Sequence, residues 1–398
     1  MAASGDRPGR ALARILNLDD FEEAARRRLP RPIFGYVSGA SETNASLRDN
    51  REAFDEIGFL PRVLVNVSKR SAAVELFGRR FEQPFGIAPM GISALTAYRG
   101  DLVLAECAAR AGIPMIMSAA SLIRLEDVVK AAPATWFQAY LLAEPERTLA
   151  LIDRVARAGF GTLVITVDSA VVPSRENNLR TGFVTPLRPG PKLAWDGVTH
   201  PRWTLSTSLR TIARHGMPHF ENAYAERGEP IVSRHVTRSF AGREHLDWSE
   251  LKTIRDRWRG RLVLKGVLRA DDARRARECG VDGVIVSNHG GRQLDGAVSP
   301  LRALPGVVAA AGDAMTVMID SGFRRGTDVL KAIALGARCA FVGRPFNYAA
   351  TIAGRAGVER AIALMAAEIR ADMGLLGINR VEELGEDFLM AKGRGRLP

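Results

Sequence analysis

Cysteine is scarce in this chain. Only Cys107, Cys279 and Cys339 occur among 398 residues, far apart, in apolar segments and with no C-x-x-C pair. Such usage excludes a disulfide framework and fits buried free thiols in a reducing compartment. Long apolar runs are also absent: nothing approaches the roughly 18 residues that a membrane-spanning helix needs. The first residues carry Arg and Ser but no apolar stretch of the signal-peptide kind, and they read as a frayed start. No G-x-G-x-x-G opens the first helical pattern, which argues against a doubly wound dinucleotide-binding sheet. His200, His215, His219, His235 and His245 lack metal-ligand spacing, so no metal is expected.

What is present is a basic, ordinarily globular chain. The formal charge is +12, with 46% hydrophobic and 25% charged residues. A basic surface attracts anions, among them nucleic acid, acidic lipid and anionic small molecules. The basic residues are scattered, and no zinc-finger or RNP-type signature occurs, so nucleic acid is not the expected partner.

Short β-rich runs alternate with helical patterns, an order that predicts a parallel sheet. The runs are Phe85–Met90, Pro114–Ser118, Trp136–Tyr140, Thr162–Asp168, Leu262–Gly266, Gly283–Asn288, Thr316–Asp320 and Ala340–Gly343. Eight such β/α units predict an α/β fold, a single TIM (β/α)8 barrel over about residues 81–372 within one domain spanning 1–398. Residues before about 80 form an N-terminal helical cap. Residues 184–247, rich in Pro, Gly, Arg and Trp, form a long insertion after strand four and read as irregular.

Active sites of this fold lie at the C-terminal strand ends, and polar residues collect there. Strand by strand they are Ala88-Pro89-Met90-Gly91, Ser118, Gln138 with Tyr140, Thr166 with Asp168 and Arg175 beyond, and Lys265. There follow Ser287-Asn288-His289 with Arg292, Asp320 with Ser321-Gly322-Phe323-Arg324, and Gly343-Arg344. A polar group at nearly every strand tip favours an enzyme over a basic lipid- or nucleic-acid-binding protein without turnover. Glycines with Arg324 and Arg344 after strands seven and eight form the usual barrel phosphate site; the alternative is that these arginines pair with surface carboxylates. His289 can act as a base near neutral pH. Three residues on, across two glycines, Arg292 can hold a carboxylate by two hydrogen bonds. Side by side they suit proton removal next to a carboxylate. Asp168 would orient His289; the alternative is a helix N-cap. Lys265 would stabilise negative charge on an electron-accepting ring; its alternative is a buried salt bridge with a core carboxylate. Tyr140 and Tyr36 would donate hydrogen bonds to substrate, although Tyr36 read alone suits packing.

The string Ser287-Asn288-His289-Gly290-Gly291-Arg292-Gln293-Leu294-Asp295 resembles the signature of FMN-dependent L-2-hydroxy acid oxidases and dehydrogenases. So do Leu29-Pro30, Trp136-Phe137-Gln138, Thr166-Val167-Asp168, Val263-Leu264-Lys265-Gly266, Asp320-Ser321-Gly322-Phe323-Arg324-Arg325-Gly326 and Gly343-Arg344-Pro345, in the same order. His200-Pro201-Arg202-Trp203 and Arg214-His215-Gly216-Met217-Pro218 look closest to the mandelate dehydrogenases. The resemblance implies FMN as cofactor, held by Ala88, Pro89, Met90, Gly91, Ser118, Gln138, Thr166, Lys265 and Ser287 around its ring and ribityl chain. Asp320, Gly322, Arg324, Gly343 and Arg344 would hold its ribityl and phosphate end. It also implies catalysis by His289 with Asp168, and substrate binding by Arg292, Arg175, Tyr36 and Tyr140. The expected reaction is oxidation of a lactate- or mandelate-like L-2-hydroxy acid to the 2-oxo acid.

Departures from the family pattern carry information. Tyr36-Val37-Ser38-Gly39-Ala40 is one residue shorter than in relatives. Met90 replaces a common threonine, Ala120 stands where some oxidases place tryptophan, and Gly91 matches the membrane dehydrogenases where oxidases carry alanine. Together these favour electron transfer to a quinone over an O2-using oxidase that makes hydrogen peroxide. No C-x-x-C-H motif precedes the barrel, which argues against a fused cytochrome. By the same resemblance the insertion, with Trp195, Trp203 and many arginines, would dock on an anionic membrane surface or act as an active-site lid. The expected location is cytoplasmic, peripheral on the cytoplasmic face of the inner membrane, and the expected assembly a homotetramer. A further alternative is a phosphate-binding barrel lyase with no flavin.

Overall fold

The computed structural model describes residues 12–183, 190–233 and 243–392. Its central sheet has eight parallel strands, here β1 (Phe85–Ile87), β2 (Ile116–Ser118), β3 (Trp136–Tyr140), β4 (Thr162–Thr166), β5 (Arg261–Val267), β6 (Gly283–Val286), β7 (Thr316–Asp320) and β8 (Ala340–Val342). The runs β4 (TLVIT) and β6 (GVIV) are buried along their whole length. Continuous β-branched stretches of this kind suit a parallel sheet covered on both faces. Sheet order runs β1-β8-β7-β6-β5-β4-β3-β2. The ring closes where Ile87 bridges Met115 in parallel and its N–H donates to the Pro114 carbonyl over 2.9 Å. This is the (β/α)8 barrel that the alternation predicts. The joining helices include Gly100–Ala111, Pro145–Ala158, Pro300–Ala311 and Arg344–Ala353.

The N-terminal cap consists of helices Leu18–Arg28, Arg31–Ser38 and Ala45–Asp55. Asn17 starts the first through a capping box with Asp20. A hairpin of Val74–Leu76 and Arg79–Phe81 closes the opposite end, where Phe77 meets the Trp136 ring with centroids 5.6 Å apart.

Two features differ from the expectation. Several strands end earlier, at Ile87, Thr166 and Val286 rather than Met90, Asp168 and Asn288. Just beyond the strand ends the backbone turns left-handed, with φ +51° at Ile92, +59° at His289 and +83° at Ser321. The insertion is also more ordered than its composition suggests, with helices Pro191–Thr199 and Pro201–Trp203 and a continuous helical run on to His215. Trp203 anchors that run: its indole N–H donates to the Leu95 carbonyl over 2.8 Å, and its ring packs with Leu29 and Ile33. His235 lies outside the described residues.

Candidate active site

A cavity of about 670 Å3 opens at the C-terminal strand ends. That size is within the range of small-molecule and cofactor sites. It gathers Ala88, Pro89, Met90, Gly91, Tyr36, Tyr140, Arg175, Lys265, His289, Arg292, Asp320, Gly322, Arg324, Gly343 and Arg344, all of them marked from the sequence. Asp168, Ser118, Gln138, Thr166 and Ser287 are outside this lining: Asp168 and Ser287 bond to His289 and Lys265, Thr166 lies opposite Lys265 in the sheet, and Ser118 bonds to Gln138.

His289 and Asp168 form a dyad. The imidazole Nδ1 lies 2.9 Å from Asp168 Oδ1. With that carboxylate accepting, Nδ1 carries the proton and the Nε2 lone pair is left for the cavity. Burial depresses the His289 pKa, and the nearby Asp168 charge offsets this only in part, so the ring is held below its usual value. It is therefore neutral, and basic, at neutral pH. Burial alone would raise the Asp168 carboxyl, but His289, as a charge when protonated and as a hydrogen-bond partner, outweighs it together with Lys265 and holds the group below its usual value. Local backbone geometry explains the pairing. Gly266, at φ +106°, sits where β5 shifts register, and a Cβ there would come within 2.7 Å of the Asp168 side chain. Gly290 and Gly291 follow His289 in left-handed conformations, and side chains on them would strike Arg344 and the backbone of Leu47. Asp168 thus pairs with the His289 ring, and no helix starts at it.

Lys265 is buried between two groups. Its Nζ donates to Ser287 Oγ over 2.9 Å and lies 3.1 Å from Asp320 Oδ2. Burial alone would strip its proton, but Asp320 and Asp168 outweigh burial and keep the ammonium charged. The salt-bridge alternative for Lys265 is therefore realised, within the site rather than away from it. Ser287 Oγ also accepts the His289 N–H over 3.0 Å, tying base and lysine together.

Three guanidiniums meet here without a carboxylate. Arg292 donates to the carbonyls of Tyr36 and Gly39, each over 2.7 Å, and its Cζ lies 4.9 Å from the centre of the Tyr36 ring. Arg175 donates to Gln293 Oε1 and the Arg292 carbonyl. Arg344 donates to the carbonyls of Val37, Gly39 and Gly290. Among the described residues none of the three forms an ion pair. Burial, then the charges of Arg175 and Arg344, press Arg292 down to about 9, still protonated at neutral pH. A cluster of like charges held only by carbonyl dipoles is a site for anions. Arg324 differs: it pairs with Asp19 at 3.1 Å and Glu22 at 3.5 Å from the first helix. The carboxylate-pairing alternative holds for Arg324 and not for Arg344.

Tyr36 lies in the cavity despite the shortened segment around it. A Cβ built on Gly91 would be 3.2 Å from the Tyr36 hydroxyl. Burial raises the Tyr140 phenol, so it stays a hydrogen-bond donor. Composition alone did not mark Phe183, Phe220, Ile231 and Arg243, which wall the cavity from the insertion side. Their chain positions place them in a segment with no strand-tip signal.

The residues fit a flavin mononucleotide. Gln138 is buried, its Oε1 accepts from Ser118 Oγ over 2.9 Å, and its Nε2 has no partner among the described residues. A buried orphan donor of this kind calls for an acceptor. Lys265 stands near, and Gly343 and Arg344 open a helix of 10 residues whose N-terminus favours a phosphate.

The family model described as FMN-dependent dehydrogenase matches residues 25–391. The chain belongs to this family. It is 37% identical over 386 residues to (S)-mandelate dehydrogenase of Pseudomonas putida, covering 95% of each chain. To L-lactate dehydrogenase of Azorhizobium caulinodans it is 37% identical over 385 residues, covering 96% of this chain and all of that one. Among solved structures, monotopic membrane protein (S)-mandelate dehydrogenase superposes with TM-score 0.85 at 35% identity, over 95% of this chain and 100% of the other. A mandelate oxidase variant superposes with TM-score 0.78 at 34% identity, covering 95% and 98%. The protein is an FMN-dependent dehydrogenase built on a TIM barrel.

Proposed function

We propose that this FMN-dependent dehydrogenase oxidises an L-2-hydroxy acid to the 2-oxo acid and passes the electrons to a quinone. The observation that carries the reading is a neutral His289 imidazole, paired with the Asp168 carboxylate, opening on the same cavity as Arg292 and Arg175, two guanidiniums without an ion pair among the described residues. These would take the substrate carboxylate, with the remaining Arg292 N–H groups giving a planar fork. Tyr36 and Tyr140 would donate to substrate oxygens. His289 Nε2 would accept one proton of the CH–OH group, and Asp168 would stabilise the imidazolium that forms. FMN, when bound, supplies a ring that accepts the two electrons leaving the substrate carbon. Lys265 would place positive charge beside that ring, and Ser118, Gln138, Thr166 and Ser287 would help to hold it. Arg344 and the helix it opens would hold the phosphate, with Arg324 shared between it and the first helix.

The insertion supports peripheral attachment to a membrane, where a quinone acceptor dissolves. No helix among the described residues is long and apolar enough to cross a membrane. Trp195 is 68% exposed and Val198 70%, three residues apart on Pro191–Thr199. Leu205, Leu209 and Ile212 project outward at helical spacing from the next run, beside exposed Arg202, Arg210 and Arg214. Aromatic and aliphatic side chains framed by arginines suit an anionic lipid surface. The same insertion walls the cavity, so attachment and active-site cover are compatible roles.

The test is anaerobic titration of the FMN-loaded protein with L- and D-2-hydroxy acids. Loss of the oxidised flavin absorbance with L acids, and one 2-oxo acid formed per flavin, is expected. A flavin left oxidised by every acid would overturn the reading.

A further inference from the structure

The phosphate end of the site holds two arginines of different standing. Arg344 lines the cavity and donates to carbonyls, those of Val37 and Gly39 over 2.9 Å and of Gly290 over 3.1 Å. Arg324 lines the same cavity beside Gly322, yet each of its side-chain nitrogens already has a protein acceptor. Its Nε lies 3.1 Å from Asp19 Oδ1 and one terminal nitrogen 3.5 Å from Glu22 Oε2, while the other donates to the Phe323 carbonyl over 3.2 Å. The two carboxylates stand three residues apart, on one face of the helix Leu18–Arg28. Leu18, Phe21 and Ala25 of that helix are buried in the core, which seats the carboxylates against the loop after β7. Their reach extends past Arg324. Burial lowers the Arg344 pKa, the Arg324 charge adds to this, and the Glu22 charge opposes it.

A phosphate monoester at neutral pH is mostly a dianion. Placed at Arg344 and the helix it opens, it would share Arg324 with Asp19 and Glu22. Arg324 brings one positive charge to that end of the site, and the first helix brings two negative ones. A guanidinium flanked by two carboxylates offers a further anion little net charge, and like charges close together oppose binding. We infer that Asp19 and Glu22 compete with the FMN phosphate for Arg324, so that the first helix loosens the cofactor instead of clamping it. The inference rests on the phosphate placement proposed above. A helix that only held the fold together would act on the binding of the whole flavin, whereas this competition acts on the phosphate alone.

The experiment displaces FMN from the FMN-loaded full chain with riboflavin, which has the same ring and ribityl chain but no phosphate. The exchange constant, read from the two flavins that stay bound after gel filtration, is a ratio of affinities and isolates the contribution of the phosphate. Wild type, Asp19→Asn, Glu22→Gln, the double variant and Arg344→Met are compared. Partly exposed carboxylate–arginine pairs are worth a few-fold each, so the double variant is expected to favour FMN over riboflavin about 5- to 30-fold more than wild type does, with the single variants in between. Arg344→Met is expected to shift the ratio toward riboflavin. A ratio unchanged or lowered in the double variant, with Arg344→Met lowering it, overturns the inference and leaves the phosphate placement intact. A ratio unmoved by Arg344→Met overturns the placement and the inference with it. Circular dichroism reports whether each variant folds. Should the double variant not fold, the single variants decide, since each removes one charge with little change of shape.

Discussion

His289 Nδ1 and Asp168 Oδ1 stand 2.9 Å apart, just past the tips of strands β6 and β4 respectively, although the two residues are 121 positions apart in the chain. In the proposed reaction Asp168 would fix the tautomer of the imidazole, and so govern a step that it does not touch. Asp168→Asn should therefore slow flavin reduction by about 10²- to 10⁴-fold, the range of a lost general base, because the amide can present an N–H to Nδ1 and turn the proton onto Nε2. Anaerobic stopped-flow absorbance at the flavin band measures this. An unchanged reduction rate would remove the orienting role.

Arg292→Lys retains charge but not shape. Arg292 already gives one nitrogen to the Tyr36 and Gly39 carbonyls, and a lysine cannot hold both carbonyls and a carboxylate in one plane. The expected outcome is a KM raised roughly 10- to 100-fold, read in steady-state kinetics. A KM within twofold of wild type would contradict the clamp.

The folding logic explains which parts were legible in the sequence. Strand tips were readable because each apolar run breaks at a polar residue, as at Thr166-Val167-Asp168 and Ser287-Asn288-His289, and the barrel brings such breaks together. The helical run through 201–215 was not readable, because its apolar residues face two ways: Trp203 is buried while Leu205, Leu209 and Ile212 are exposed. That split dilutes a single amphipathic stripe. The partners of Arg324 were equally hidden. Asp19 and Glu22 lie about 300 residues away in the chain, and only the docking of the first helix brings them to the phosphate end of the site.

The pH profile follows from the direction of the His289 shift. The reaction needs the neutral imidazole, and burial lowers the pKa from the ordinary 6.5. The base form thus persists to lower pH than for a free histidine. kcat/KM should be flat from about pH 7 until Arg292 begins to lose its proton toward about 9, and fall on the acid side with an apparent pKa below 6.5. An acid limb centred above 7 would mean that Asp168 outweighs burial.

Attachment to a membrane has a direct cellular test. The protein should sediment with membranes at low salt and be released in part by a salt wash. Replacing Trp195, Leu205, Leu209 and Ile212 with serine should shift it to the soluble fraction, since each large apolar side chain contributes about 1.5–3 kcal/mol on burial. Wild-type protein found wholly in the soluble fraction at low salt contradicts docking.

The central claim is that His289 removes the substrate proton inside a site that binds flavin without it. The most direct measurement is anaerobic mixing of FMN-loaded His289→Ala with an L-2-hydroxy acid that reduces the wild-type flavin. The variant should hold FMN at wild-type stoichiometry and show no loss of the oxidised flavin band on the wild-type timescale. Reduction at the wild-type rate would contradict the account.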